Sequence, residues 1–313
     1  VIGRIRHWFP PLVTGIVITA IGLALLPVGI KYASGGAAAF QMNAPEWGDF
    51  SRWGLALVVI FVALGFKFFT RGTMSSAAIL IGLIAGYVVG YLTGAVNFGG
   101  VAKAAWFAVP QPFKYGIEFS AFAIIGMCLM SLVSAIETVG DISGIAKGGA
   151  NREATDKELS GGTYADGFGS FIAGLFGGLP NTSFSQNVGL ISMTGVMSRS
   201  VVTLGALFLV ACGLIPKVGA VVAAMPISVL GGGVIVMFGM VVSAGINMLS
   251  GVNWNRRNMI ILAMSLSVGL GIQAVPKSMQ HLPDSFEMLM VSGLLPAAAI
   301  SVILNLLIPK DID

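Results

Sequence analysis

The sequence predicts an all-α polytopic membrane protein. Of its 313 residues, 56% are hydrophobic and only 10% are charged, and the mean hydropathy is +0.92. A soluble domain carries about 25% charged residues, so this chain lacks the polar groups that a water-exposed surface needs. Its apolar residues form continuous runs, such as 55–64 and 79–89, rather than the alternating pattern of barrel strands. We therefore expect a multi-pass helical protein of the cell inner (plasma) membrane.

Apolar segments long enough for membrane helices recur along the whole chain, since a helix needs about 20 residues to cross the hydrocarbon layer. They cover residues 10–31, 53–71, 75–96, 117–146, 163–180, 199–215, 226–250, 257–276 and 286–309. A shorter apolar piece at 187–197 is typical of half a span. The two longer connections are 32–52 and 97–116.

A stripe of glycines marks one face of the segment 75–96. Gly82, Gly86, Gly90 and Gly94 recur at every fourth position. Small residues at this spacing let the backbones of two helices approach closely. The stripe predicts tight packing against a neighbouring helix or, alternatively, a dimer contact.

Three carboxyl groups lie inside apolar segments, namely Glu137, Asp141 and Asp166. Ionisable residues in a membrane usually mark a substrate or ion path, because placing an Asp at the centre of a span costs about 2.5–3.5 kcal/mol. Glu137 and Asp141 are four residues apart in SAIETVGD (134–141), so they share a helix face. Two carboxylates this close repel each other, which favours a proton on one of them, and such a group can carry a proton.

Each of these carboxyl groups also has a simple structural interpretation. Asp141 could cap the loop that follows its helix, and the same reading is weaker for Glu137, which lies deeper. Asp166 could be a charge placed favourably at a helix N-terminus.

A cluster of polar residues interrupts the apolar pattern at 181–187, which reads NTSFSQN. It follows the glycine-rich DGFGSFIAGLFGG (166–178) and the pair Leu179-Pro180. This pattern predicts a discontinuous helix, whose unwound backbone is tolerated in a membrane only where it lines a cavity. Gln186 offers a donor and an acceptor to a heterocycle edge, and Phe184 would present its ring on the same side of an extended strand. The alternative is a loop at the membrane surface anchored by Phe184.

The remaining composition excludes several other classes of function. Cys128 and Cys212 lie in apolar runs, and no metal-ligand spacing occurs. No nucleophile–base pair points to an enzyme. The basic residues are scattered rather than gathered in one patch, so we expect no nucleic-acid partner. We expect no metal and no cofactor.

Three motifs together resemble the nucleobase–ascorbate transporter family, also called nucleobase:cation symporter family 2. Its signature corresponds here to Gln186-Asn187-x-Gly189-x4-Thr194, and SAIETVGD and DGFGSFIAGLFGG resemble its two acidic motifs. The resemblance covers nearly all of the chain. It implies an inverted-repeat transporter fold of fourteen spans with core and gate domains, commonly a homodimer in the lipid bilayer.

The resemblance also implies a domain plan, with about ten of the fourteen spans present and the first four absent. Residues 1–97 would be gate helices (family spans five to seven). Residues 117–215 would be core helices, with the discontinuous helix at 181–197. Residues 226–313 would be the closing gate helices, family spans twelve to fourteen.

Roles for individual residues follow from the same resemblance. Glu137, Phe184, Ser185 and Gln186 would bind the substrate, as carboxylate anchor, stacking ring, backbone N–H donor and amide anchor. Asp141, Asp166, Asn187 and Thr194 would couple protons or support the site. Gln186 resembles the purine branch, and Gly195 after the signature Thr194 resembles bacterial urate permeases.

The function implied is proton-coupled uptake of an oxopurine, either urate or xanthine. Two alternatives stay open at this point. One is a uracil-type or other nucleobase symporter on the same fold, and the other is a passive facilitator or channel.

Overall fold

A computed structural model of the chain describes residues 10–42, 44–184, 187–188, 191 and 196–309, and among these the regular structure is entirely helical. The first helices are α1 (Pro11–Ala33), α2 (Ala37–Gln41), α3 (Phe50–Phe69), α4 (Thr73–Ser76), α5 (Ala78–Leu92), α6 (Gly99–Lys103) and α7 (Ala121–Ala150). They are followed by α8 (Asp156–Leu175), α9 (Arg199–Gly213), α10 (Pro216–Ala223), α11 (Ile227–Ser250), α12 (Arg256–Ala274), a 3₁₀ turn (Pro276–Met279), α13 (Asp284–Val291) and α14 (Leu294–Leu307).

Several of these helices meet the requirements of a membrane span. Within the described ranges, 5 helices are long and apolar enough to cross a membrane: α1, α3, α7, α11 and α12. The number rises to 6 if α9 and α10, which are bent by 86° relative to each other, form one span. The structure therefore confirms a polytopic helical membrane protein.

Two predicted segments differ from the observed helices. The segment 286–309 is not one helix, because Gly293 has a φ of 72° and separates α13 from α14. The predicted segment 163–180 begins later than the observed helix, since α8 starts at Asp156. Thr155 and Glu158 form a capping box there, which satisfies backbone N–H groups of the first turn. A further helix, α10, occupies what the sequence predicts to be a connection.

The chain divides into two compact units. Unit 1 comprises Val1–Ala24, Gln111–Ser192 and Met240–Asp313, and unit 2 comprises Leu25–Pro110 and Met193–Gly239. The plan of gate and core helices describes which parts of the protein move during transport, so it stays a prediction. All the described residues of the predicted site belong to unit 1, namely Glu137, Asp141, Asp166, Phe184 and Asn187.

Apolar side chains hold α7 in place within unit 1. Val133 and Ile136 of α7 pack with Val17 of α1 and with α14. A second cluster, which contains Val139 of α7 and Leu159 of α8, joins these two helices. The α7–α8 pair is therefore fixed by packing on both sides of the turn that carries the acidic residues.

A buried arginine joins two other helices of unit 1. Arg257, in the first turn of α12, is 5% exposed. Its guanidinium donates to the backbone carbonyls of Asn305 (2.6 Å) and Ile308 (2.9 Å). These carbonyls belong to the C-terminal end of α14, where the last turn lacks partners within the helix, so Arg257 satisfies them.

In unit 2, the glycine stripe of α5 packs against α3 at Gly82 and Gly86, and against Val229 of α11 and the preceding Pro226 at Gly86 and Gly90. Gly82, Gly86 and Gly90 are buried. A Cβ atom at Gly82 would lie 2.8 Å from the carbonyl oxygen of Val59 in α3, which shows how closely the two backbones approach. Packing within the chain is therefore confirmed for these three positions. Gly94 lies beyond the end of α5 with a φ of 74° and takes no part in this contact.

Candidate functional site

Four polar side chains form a stripe along α7. Ser134, Glu137, Thr138 and Asp141 stand at positions i, i+3, i+4 and i+7, which share one face of an α-helix. The helix continues past them to Ala150 and ends at Asn151, whose φ of 51° is typical of a left-handed C-terminal cap. Asp141 therefore lies inside the helix, and the interpretation that it caps a following loop is wrong.

Helix α8 carries Asp166 to this stripe. Because α8 begins at Asp156, Asp166 lies almost three turns into the helix, and the interpretation that it is an N-terminal helix charge is also wrong. The hydroxyl of Thr138 on α7 donates a hydrogen bond to the Asp166 carboxylate. This bond links the two helices at the level of the acidic residues.

The backbone after α8 is not helical, as the sequence predicts. Gly177, with a φ of 72°, follows the end of α8, and residues 178–184 have no helical structure. The hydroxyl of Ser170 ties this stretch to α8, since it accepts from the Asn181 N–H (2.8 Å) and donates to the Asn181 carbonyl (3.2 Å). Asn187 and Val188 are helical again. Ser185, Gln186 and Thr194 lie outside the described residues.

Two hydroxyl groups of this unwound stretch contact the stripe on α7. Thr182 donates to Oε2 of Glu137 (3.1 Å) and accepts from the Ser134 hydroxyl (3.0 Å). Ser183 lies 2.8 Å from Oδ2 of Asp141 and 3.2 Å from the Thr138 hydroxyl. Each carboxyl group of the stripe thus has its own hydroxyl partner from the segment 178–184.

The site has a sealed end and an open end. Thr138 and Asp141 are each only 2% exposed, whereas Glu137 is partly exposed. Phe184 is 49% exposed, so its ring is not part of the core. Asn187 is exposed, and its backbone N–H donates to the Phe184 carbonyl (2.9 Å). Glu137, Phe184 and Asn187 are thus at least partly accessible, whereas Asp141 is not.

Comparison with known proteins identifies the family. A family model described as "Permease family" matches residues 1–278 of the chain. The chain belongs to this permease family. The match confirms the resemblance to nucleobase:cation symporter family 2, and it makes the protein a multi-pass membrane transport protein rather than an enzyme.

Named relatives of this permease cover nearly all of the chain. A xanthine permease of Bacillus subtilis is 36% identical over 306 residues, which are 97% of this chain and 68% of that protein. The nucleobase transporter PlUacP of Paenibacillus larvae is 37% identical over 97% of this chain and 69% of its own length. The uric acid transporter UacT of Escherichia coli is 37% identical over 97% of this chain and 62% of its own length. The chain thus spans about two thirds of the length of these relatives.

The structure of this permease links Asp141 to Asp166 through two hydroxyl groups and holds Glu137 through a separate pair, and none of these hydroxyls is among the predicted site residues. The connecting groups are the hydroxyls of Ser134, Thr138, Thr182 and Ser183. Serine and threonine are common in helices, where they often bond to their own backbone carbonyls, so their presence alone carries little information. Two signals were available: Ser134 and Thr138 share the helix face of Glu137 and Asp141, and Thr182 and Ser183 belong to the polar cluster 181–187.

Proposed function

We propose that this chain is part of a proton-coupled symporter that carries an oxopurine, urate or xanthine, into the cell across the plasma membrane. One observation carries the proposal: two carboxyl groups one helical turn apart have opposite environments. Glu137 is partly exposed beside Thr182, whereas Asp141 is sealed against Ser183. The open carboxylate suits a ligand, and the sealed one suits a proton. The relatives' names, which include xanthine and uric acid, support an oxopurine as the substrate.

The open end of the site matches the chemistry of an oxopurine. A carboxylate accepts hydrogen bonds only, and the ring N–H groups of xanthine or urate are donors. Thr182 orients the Glu137 carboxylate through Oε2, and Ser134 in turn orients Thr182. The half-exposed ring of Phe184 offers a face on which a planar base can stack.

The family resemblance supplies the rest of the proposed binding site. Gln186 would be the second anchor of the purine edge and Ser185 would offer its backbone N–H. Asn187 and Thr194 would support the site. Asp141 and Asp166 would handle the coupling proton, and no other cofactor is required.

We extend the proposal to the architecture that the family implies. The site would belong to a core domain that moves against a gate domain, within fourteen spans arranged as two inverted repeats. The gate would include residues 1–97 and 226–313, and the core would include residues 117–215. Two copies would form a homodimer in the bilayer.

Uptake into proteoliposomes tests the proposed function. The full-length protein is reconstituted, and uptake of labelled urate and xanthine is measured with and without an inward proton gradient. We expect saturable uptake that the gradient stimulates. Glu137→Gln should reduce it by about tenfold to a hundredfold, because a hydrogen bond to a charged group contributes about 1.5–3 kcal/mol. The matched control Glu118→Gln changes an exposed loop residue and should leave uptake unchanged.

Three results would contradict parts of this proposal. Uracil that competes better than either purine would indicate a uracil-type symporter. Flux that rises with concentration without saturation would indicate a passive facilitator. Uptake that is indifferent to Glu137→Gln would remove that residue from the binding site.

A further inference from the structure

The hydroxyl groups of the site form two separate chains of hydrogen bonds. The number of hydrogen atoms available to each chain can be compared with the number of bonds in it. In the first chain, Ser134 donates to Thr182 and Thr182 donates to Glu137. It contains three oxygen atoms and therefore two gaps between them. A hydroxyl carries one hydrogen, so the two hydroxyls fill both gaps. This chain is complete when Glu137 is ionised.

The second chain of hydrogen bonds is longer, and it has fewer hydroxyl hydrogens than gaps. It runs from Oδ2 of Asp141 to Ser183 (2.8 Å), from Ser183 to Thr138 (3.2 Å), and from Thr138 to Oδ2 of Asp166. It contains four oxygen atoms and therefore three gaps, but only two hydroxyl hydrogens. All three hydrogen bonds can form together only if one of the two carboxyl groups carries a proton.

The missing proton matters because part of the second chain of hydrogen bonds is buried. Thr138 and Asp141 are each 2% exposed, and buried polar atoms in proteins are nearly always hydrogen-bonded because an unmade bond is costly. If both carboxyl groups were ionised, the single hydrogen of Ser183 would have to serve either Asp141 or Thr138, and one gap would stay open. One proton at either end of the chain would close that gap.

Two other helices of unit 1 lie beside the stripe. Helices α1 and α11 approach the stripe at Gly140 through Thr14 and Met248, and their residues in unit 1 include no titratable side chain. Within the described part of the protein, the titratable groups that are hydrogen-bonded to these hydroxyls are the carboxyl groups of Glu137, Asp141 and Asp166.

We propose that Thr138 and Ser183 are positioning residues that join Asp141 and Asp166 into a unit holding one proton. This inference deepens the proposed function and rests on it. In the transfer step, the Asp141 proton passes to Ser183, the Ser183 hydrogen passes to Thr138, and the Thr138 hydrogen passes to Asp166. Three O–H bonds break and three form. One proton moves from α7 to α8, and the negative charge moves from Asp166 to Asp141.

Variants that remove one hydroxyl at a time test this bridge in the full-length protein. Thr138→Val keeps the side-chain shape without the hydroxyl, and Thr138→Ser keeps the hydroxyl. Two transport modes are compared in proteoliposomes: accumulation of labelled xanthine and urate driven by a proton gradient, and exchange of the same purines at equal concentration and pH on both sides. Only accumulation requires net movement of a proton.

We expect Thr138→Val to reduce accumulation by about tenfold or more, the order that one unmade buried hydrogen bond produces, while exchange is largely retained. Thr138→Ser should restore accumulation, and Ser183→Ala and Ser183→Thr should repeat the same contrast. Thr182→Val, which breaks the first chain instead, should raise KM in both modes without uncoupling them. Equal loss of both modes in Thr138→Val, or equal accumulation in Thr138→Val and the wild type, would overturn the bridge.

A second measurement needs no substrate and separates the two proposals. Infrared difference spectra of the purified protein, recorded during a pH titration, report the C=O band of protonated carboxyl groups. The bridge predicts that Thr138→Val shifts the midpoint of this band, whereas Thr138→Ser does not. An unchanged midpoint in Thr138→Val would overturn the bridge. Wild-type protein that transports neither purine would contradict the proposed function, and the infrared result would still decide the bridge.

Discussion

At the scale of single residues, the environment of a side chain decides what its chemistry can be used for. Glu137 and Asp141 have the same functional group and stand on the same face of α7. One is partly exposed and the other is 2% exposed. An accessible carboxylate can exchange water for a ligand, whereas a sealed one interacts only with fixed neighbours. The two roles that we propose follow from this difference in burial.

Phe184 provides a prediction at this scale. Because its side chain is 49% exposed, it adds little to the core, and Phe184→Ala should leave thermal stability nearly unchanged. Stacking of a base on an aromatic ring contributes about 1–3 kcal/mol, so the same substitution should raise the KM for the purine by roughly tenfold. Phe184→Tyr should keep the wild-type KM.

The control for this prediction is Phe168→Ala, which removes another exposed aromatic ring from α8. Uptake kinetics and melting curves of the three variants supply the comparison. An unchanged KM in Phe184→Ala would remove the ring from the substrate site. A large drop in melting temperature would show instead that the ring supports the fold.

The sequence predicts the acidic residues of the site better than the hydroxyls between them. Glu137, Asp141 and Asp166 are conspicuous because a carboxyl group inside an apolar segment is costly and needs a reason. A threonine or serine has no such cost, and Thr138 becomes informative only when its neighbours in space are known. Its partners Asp166 and Ser183 lie 28 and 45 residues away along the chain, beyond the reach of local patterns.

At the scale of elements, the start of α8 shows how a local signal sets the position of a distant residue. Thr155 and Glu158 form a reciprocal capping box, and Glu158 also pairs with Arg152 (2.5 Å). These contacts fix the first turn of α8 and therefore the register that carries Asp166 to Thr138. The hydrogen bonds from Arg152 and Thr155 hold the pKa of Glu158 well below its usual range.

This lowered pKa predicts how the stability of the protein depends on pH. A carboxyl group whose pKa is lower in the folded state stabilises that state above its unfolded pKa, which is about 4.3 for Glu. The contribution is lost as the pH falls from there towards the folded value. Glu158→Gln keeps a side chain that can complete the capping box but removes the ion pair. Its melting temperature should lie slightly below that of the wild type at pH 7, and the difference should shrink below about pH 4.3.

Two further variants separate the ion pair from the cap. Arg152→Gln removes the same ion pair from the other side, so the double variant should be no less stable than either single one. Thr155→Ala removes the cap itself and should cost about 1 kcal/mol at any pH. A difference between the wild type and Glu158→Gln that grows on acidification would contradict the assignment.

Element boundaries were predicted well where a continuous apolar run ends in charged or polar residues, as at α1 and α12. They were predicted poorly where the backbone itself decides. The break between α13 and α14 lies at Gly293, whose carbonyl would be only 2.5 Å from a Cβ atom at Gly269 of α12. That contact is between residues 24 positions apart, so a hydropathy pattern does not predict it.

At the scale of the whole molecule, hydrophobicity does not distinguish inside from outside, because lipid is as apolar as the protein interior. Large apolar side chains such as Phe61, Leu80 and Leu92 are exposed, as expected for surfaces that face lipid. The packed faces are instead marked by small residues, which allow backbones to approach and gain dispersion contacts. The glycine stripe of α5 is the clearest example, and its spacing was visible in the sequence.

Alanine substitutions on and off this stripe test that view. At Gly82, a Cβ atom would lie 2.8 Å from the Val59 carbonyl oxygen and 3.0 Å from the Ala63 Cβ, so Gly82→Ala must push α3 and α5 apart. Overpacking of this kind costs about 1–3 kcal/mol. Gly65→Ala adds the same methyl group on α3 where no atom lies within 4 Å, and it should be neutral or slightly stabilising because Ala favours helix.

Unfolding of the full-length protein in detergent measures the stability of both variants, and the oligomeric state of the protein is followed in parallel. If Gly82→Ala weakened a dimer while leaving the unfolding of the protomer unchanged, the stripe would be an intermolecular contact rather than the packing seen within unit 2.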